Sequence, residues 1–238
     1  MDKHHPESNF TSSLWTNLAH KYSLSSTQIE QFKRYLELLV EWNDKFNLTA
    51  ITDPEGIIEY HFDDSLALAQ HLNFTTITTT ADIGTGAGFP GLPLKILFPH
   101  LRMILIEVNH KKRIFLEHVA NELGLTDIIL YPLDWRTFLR TIPQASDNIL
   151  LRGPHLQCNE EWGLNDHAID FFFARASLQP EELVRVFKPS CAYKDAMLVY
   201  WASTQWTPGK IEAPFVEKEI VYKLETVQRK FVFFRDKK

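Results

Sequence analysis

Four glycines, Gly84, Gly86, Gly88 and Gly91, fall within eight residues of a 238-residue chain that holds nine in all. Glycine lets the backbone take positive φ and approach a ligand with no Cβ in the way. A chain so sparing with glycine concentrates it where the main chain must turn tightly or touch something. The cluster follows Asp82, and Glu107 stands about twenty residues beyond the first glycine. A carboxylate at the end of the next strand can accept hydrogen bonds from both ribose hydroxyls of an adenosine ligand.

The loop reads Asp82-Ile83-Gly84-Thr85-Gly86-Ala87-Gly88-Phe89-Pro90-Gly91. Residues 86–91 match G-x-G-x-x-G, which suits a dinucleotide and a nicotinamide-dependent oxidoreductase. The frame Asp82-x-Gly84-x-Gly86-x-Gly88 matches D-x-G-x-G-x-G, the pattern of S-adenosylmethionine-dependent methyltransferases. That frame puts three glycines directly after a strand and Asp82 at its end, and it is the one favoured. A glycine turn without a ligand is the third reading.

The elements that must position this loop follow from periodicity. Residues 1–23 read as a polar lead-in with scattered apolar side chains. Ser25 and Gln28 form a capping box, and Ile29, Phe32, Leu36, Leu39, Val40 and Trp42 then recur at helical spacing to about residue 45. Asp53-Pro54 starts a second helix that runs to Leu72, so residues 1–72 read as a helical extension. Beyond it, 75–83, 102–108, 127–131, 168–174 and 196–202 read as strands, separated by helices near 92–98, 111–123 and 180–187. Gly124 is placed to end the middle helix. Such alternation indicates right-handed βαβ units, a mostly parallel sheet and a doubly wound α/β domain over 73–238. Residues 218–225 and 229–235 alternate and read as a closing antiparallel hairpin, and 141–167 reads as a surface insertion.

The composition is 45% hydrophobic and 23% charged, as in a soluble globular protein. No apolar run reaches the roughly 18 residues a membrane span needs, and MDKHHPESNF lacks the apolar centre of a secretory signal. Cys158 and Cys191 are the only cysteines, which argues against a disulfide scaffold and for a reducing, cytoplasmic setting. A net charge of −5 argues against a generic nucleic-acid coat and leaves room for a local basic site.

The loop has wider company. Trp42-Asn43-Asp44-Lys45-Phe46-Asn47-Leu48-Thr49 precedes Asp53-Pro54 and His61-Phe62-Asp63-Asp64-Ser65. After the glycines come Leu92-Pro93-Leu94-Lys95-Ile96 and Glu107-Val108-Asn109-His110-Lys111-Lys112-Arg113. In order and spacing the chain closely resembles the GidB/RsmG family, the 16S ribosomal RNA guanine-N7 methyltransferases, most densely over residues 35–125. The resemblance implies a class I, Rossmann-like methyltransferase fold, S-adenosylmethionine as cofactor, and a guanine in the decoding region of 16S rRNA as target. The partner would be the 30S subunit or its precursor, met by a monomer. A cofactor-binding ribosome-associated factor with weakened catalysis is the alternative. By matched position, Asp82, Gly84, Thr85, Gly86, Gly88 and Phe89 cradle the cofactor, Glu107 reaches ribose, and Trp135 and Arg136 flank adenine. Arg175, in Ala174-Arg175-Ala176, lies beside the cofactor and the methyl-transfer site, where it is expected to hold the cofactor or the guanine.

The chain departs from the family at Glu107, usually Asp, at Leu133 and Asp134, usually a small polar residue and Arg, and at Tyr200 or Trp201, where a lysine is usual. Guanine N7 carries a free lone pair, so its methylation needs no general base, and positioning is the main task. Lys111, Lys112 and Arg113 form the densest basic run. Cations at a helix N-terminus oppose the helix dipole, so these fit RNA phosphates, although a solvated helix start would look the same. His61, Asp64 and Ser65 share one helical face and form a candidate substrate-side set over the cofactor pocket. His155, Cys158 and His167 are too sparse for a structural zinc site, so no metal is expected.

Overall fold

A computed structural model describes residues 9–140, 169–175, 178–187, 193 and 195–235. The expected insertion at 141–167, with His155, Cys158 and His167, lies outside the described residues.

α1 (Asn9–Tyr22) forms where the sequence suggested a lead-in. Leu14, Trp15, Leu18 and Tyr22 share one face and are buried, so a sparse apolar stripe is enough when it lands on a core. α2 (Ser26–Phe46) starts at the expected capping box. The Ser25 hydroxyl accepts from the Gln28 amide at 3.2 Å, and the Gln28 side chain accepts from the Ser25 amide at 2.9 Å. The Gln28 side chain also donates to the carbonyls of Ile96 and Leu97, at 2.8 and 3.1 Å, tying this cap to a second helix end.

Asp53 caps α3 (Pro54–Ile57), accepting from the Gly56 amide at 2.7 Å. The expected second helix is not regular. It widens to a π-helical turn over Ile58–Asp63, passes through α4 (Asp64–Leu66), and tightens to 3₁₀ geometry over Ala67–Gln70. Widened turns of this kind occur often at functional sites.

β1 (Thr79–Ile83) is shorter than expected. Asn73 caps a 3₁₀ turn at Phe74–Thr76, and the Asp170 carboxylate accepts from the amides of Thr78 and Thr79, so the first threonines of the run make a turn. α5 (Gly91–Leu97), β2 (Arg102–Ile106), α6 (His110–Glu122), β3 (Ile128–Tyr131), α7 (Trp135–Arg140), β4 (Phe171–Arg175), α8 (Pro180–Val186) and β5 (Met197–Ser203) follow in alternation. β6 (Val216–Lys223) and β7 (Gln228–Phe234) form the antiparallel hairpin.

The sheet order is β3-β2-β1-β4-β5-β7-β6, parallel from β3 to β5 and closed by the antiparallel β7 and β6. Strand side chains alternate between two cores. Met103 and Leu105 of β2 join the core built with α1, α2 and α6, whereas Ile104 and Ile106 join the one under α7 and α8. The order reverses between β1 and β4, which leaves a crevice at the carboxyl ends of these strands.

Candidate functional site

The crevice is a cleft of about 610 Å³, within the size range of small-molecule sites. Its floor is the loop after β1. Gly84, Gly86 and Gly88 all have positive φ, at 65°, 62° and 104°. At Gly88 a Cβ would come 2.5 Å from the Tyr35 hydroxyl, so this glycine lets the loop press on α2. The Tyr35 hydroxyl donates to the Ala87 carbonyl there, and its ring stacks on Phe89 with centroids 5.4 Å apart. At Gly86 a Cβ would meet nothing closer than 4.0 Å, so the backbone there leaves room on the cleft side.

Asp82 lies beneath the loop, fully buried. One oxygen accepts from the Thr85 hydroxyl at 2.6 Å and the Gly91 amide at 2.8 Å, bracing both ends of the turn. Burial pushes its carboxyl up to about 6, against the pull of those two donors.

Glu107 follows β2. Its oxygens accept from the Gly86 amide at 3.0 Å and the Asn109 amide at 2.8 Å. Each carboxylate oxygen keeps a further lone pair, so the side chain can still accept from a ligand's hydroxyls. The next helix begins with Asn109, whose side chain accepts from the amides of Lys111 and Lys112. Lys112 lines the cleft, while the Lys111 ammonium lies 5.6 Å from the ring centre of Phe46. Arg113 turns inward and donates to the carbonyls of Glu107 and Val108, at 2.9 and 2.6 Å.

Asp134 explains one departure from the expected pattern. It caps α7, accepting from the amides of Arg136 and Thr137 and from the Thr137 hydroxyl at 2.7 Å. The Thr137 hydroxyl, more than any other group, holds its carboxyl below the usual range. Trp135 and Arg136 stand on the cleft wall, with the guanidinium 4.6 Å from the indole centre.

Arg175 ends β4 and faces the cleft over Phe89. It donates to the Tyr60 carbonyl at 2.7 Å, Asp64 at 2.9 Å and His61 Nδ1 at 3.0 Å. The widened turn brings all three acceptors to one guanidinium. Asp64 is fully buried behind it and also accepts from the Tyr222 hydroxyl at 2.5 Å, while its backbone carbonyl accepts from the Trp201 indole at 3.0 Å. Trp201, at one of the two positions where a lysine is usual in the family, is thus buried behind Asp64. The His61 ring stacks on Phe89 with centroids 4.4 Å apart, and burial, then the Arg175 cation, push it down to about 3.

The residues picked from sequence therefore separate into two shells. Gly84, Thr85, Gly86, Phe89 and Glu107 line the cleft, as do His61, Lys112, Trp135, Arg136 and Arg175. Asp82, Gly88 and Asp64 support those residues from behind, and Lys111 packs against Phe46 outside the lining. Thr49 and Leu178 line the cleft without having been singled out, and Tyr222 was also missed. Thr49 sits three residues after the last residue of α2, a place where helical periodicity carries no information. Among the described residues no cluster of three His, Cys, Asp or Glu side chains could hold a metal, and no helix is long and apolar enough to cross a membrane.

Comparison with known proteins bears on this geometry. The family model for rRNA small subunit methyltransferase G matches residues 28–153. The ribosomal RNA small subunit methyltransferase G of an Exiguobacterium species is 53% identical over 113 residues, 48% of each chain. Its counterpart from Geobacillus kaustophilus is 52% identical over 117 residues, 49% of each chain. The matched part of this chain spans about half the length of these curated relatives. Among solved structures, a variant of MtNAS in complex with S-adenosylmethionine superposes with a TM-score of 0.54 at 12% identity, covering 94% of this chain and 84% of that one. A putative methyltransferase, yhhF, from Escherichia coli gives 0.51 at 12% identity, covering 74% and 87%. At such identities the likeness is one of fold: a class I, Rossmann-like methyltransferase architecture.

Proposed function

The chain belongs to the rRNA small subunit methyltransferase G family, and on that premise we propose that it transfers a methyl group from S-adenosylmethionine to N7 of a guanine in 16S rRNA. The observation that carries this reading is the convergence of the glycine loop, Glu107 and Arg175 on one cleft at the carboxyl edge of the sheet. The residues fit the cofactor on their own chemistry. Gly86 leaves its side of the loop open, Glu107 retains acceptor capacity for ribose, and the Arg136 guanidinium, lying over the buried Trp135 ring, offers a flat surface for adenine. When bound, the cofactor supplies an electrophilic methyl group.

The protein's own part is placement. Glu107 and the Gly84–Gly86 backbone hold the adenosine end. Arg175 and His61, fixed by their bonds to each other and to Asp64, hold the guanine or the far end of the cofactor. His61 stays neutral and takes no proton from the base, which has none to give at N7. Lys111 and Lys112 meet RNA phosphates, and the chain acts as a cytoplasmic monomer on the 30S subunit or its precursor.

Calorimetry with S-adenosylmethionine and with NAD tests the ligand class, and binding of NAD alone would end this reading. Methyl transfer to 16S RNA, naked and in 30S particles, with the product base mapped, tests the reaction. Cofactor binding without transfer would point to a ribosome-associated factor instead. Charge reversal at Lys111 and Lys112 should weaken RNA methylation, and unchanged RNA affinity would count against their assigned role.

A further inference from the structure

The hydrogen-bond donors in the cleft have a fixed direction, and it runs to Thr49. Arg175 has only N–H donors and no acceptor. Its contact with His61 Nδ1 at 3.0 Å therefore makes Nδ1 the acceptor. A neutral imidazole carries one proton, so it resides on Nε2. Nε2 lies 2.8 Å from the Thr49 hydroxyl oxygen and must donate to it. The Ile51 amide donates to the same oxygen at 3.1 Å. A hydroxyl has two lone pairs and one proton. Both lone pairs of Thr49 are taken within the protein, and what it has left is its own O–H. Thr49 lines the cleft beside His61 and Arg175.

We propose that Thr49 determines base specificity by donating its hydroxyl proton to O6 of the target guanine. This inference rests on the functional reading above and deepens it. Guanine presents two acceptors side by side on one edge, N7 and O6, whereas adenine presents N7 beside an N6 amino donor. A side chain free to accept could serve either purine. A hydroxyl left only its donor meets guanine O6 with a hydrogen bond and adenine N6 with two donors facing each other. Discrimination is strong when a site is built to bond a group that the wrong substrate lacks. The reacting nitrogen is common to both purines, so selection has to come from its neighbour.

Thr49→Val keeps the shape and removes the O–H, but it also leaves the His61 Nε2 proton and the Ile51 amide without their acceptor. The decisive measurement is therefore a cycle between protein and RNA. The guanine methylated by the wild-type chain is mapped and replaced with 2-aminopurine, which keeps N7 and lacks O6, or with inosine, which keeps both. The wild type should lose about tenfold in kcat/KM on 2-aminopurine and little on inosine. Thr49→Val should lose about tenfold on guanine and no further on 2-aminopurine, with Thr49→Ser close to wild type. Calorimetric affinity for S-adenosylmethionine should stay within about twofold in both variants, whereas a collapsed cleft would lower it. Equal losses on 2-aminopurine for wild type and Thr49→Val would overturn the proposal, and so would a wild type indifferent to O6, even if Thr49→Val failed to fold. A wild-type chain that methylates no guanine would overturn the functional reading and this inference with it.

Discussion

Arg175 shows what the sequence discloses at the scale of a residue. Its place at the end of β4 could be matched to a motif, but its partners could not. Asp64 lies 111 residues away along the chain, and Tyr222 lies 158 beyond Asp64. Asp64 itself was expected on the substrate side. The structure places it behind Arg175, fully buried, because the widened turn rotates its carboxylate toward β6 and β7. Arg175→Ala leaves a buried carboxylate without its main cation and should cost roughly 3–5 kcal/mol in urea denaturation. Tyr222→Phe removes one donor to that charge and should cost about 2 kcal/mol, or some 4–8 °C in melting temperature for a chain of this size. A Tyr222→Phe protein as stable as wild type would show that the Tyr222 hydroxyl does not hold Asp64.

At the scale of elements, much of the architecture was legible because periodicity and caps are local. The capping box, the Asp53 start, the alternation of strands and helices and the closing hairpin all follow from short-range rules. The departures come from a long-range contact and from a local cap. α1 forms because its few apolar residues meet a core, and the first threonines of 75–83 become a turn because Asn73 caps them, its side chain accepting from the Thr75 amide and hydroxyl. The glycine loop lies between these cases: its residues announce unusual backbone without telling which glycine serves which purpose. Gly88→Ala combines positive φ with contacts of 2.5 and 2.6 Å to the Tyr35 hydroxyl and Leu92. Gly86→Ala meets only the backbone penalty, about 1 kcal/mol. Gly88→Ala should therefore lose at least about 2 kcal/mol more than Gly86→Ala, while Gly86→Ala should be the one that weakens cofactor binding at near-normal stability. A reversed order in denaturation experiments would contradict the role assigned to Tyr35 against the loop.

For the whole molecule, two buried titrating groups at one site oppose each other as pH falls. Burial and Arg175 lower His61 from 6.5 to about 3. The folded chain thus binds fewer protons than the unfolded one in that window, and this contribution, complete above pH 6.5, is lost as pH falls toward 3. Burial raises Asp82 from 3.8 to about 6. Here the folded chain binds more protons, so the contribution is complete below pH 3.8 and is lost as pH rises through 6. Between about pH 6 and 4.5 the two slopes have opposite signs and similar size, roughly 1.4 kcal/mol per pH unit each. Their sum in the wild type is close to flat. His61→Gln removes the acid-labile half, so that variant should gain up to about 2 kcal/mol on acidification from pH 6 to 4.5, relative to wild type. Asp82→Asn removes the other half and should lose a similar amount over the same interval. Urea denaturation of the three proteins at several pH values measures these slopes directly. Parallel profiles for all three would mean that neither group titrates as its surroundings require, and the neutral, Nε2-protonated His61 that directs Thr49 would lose its support.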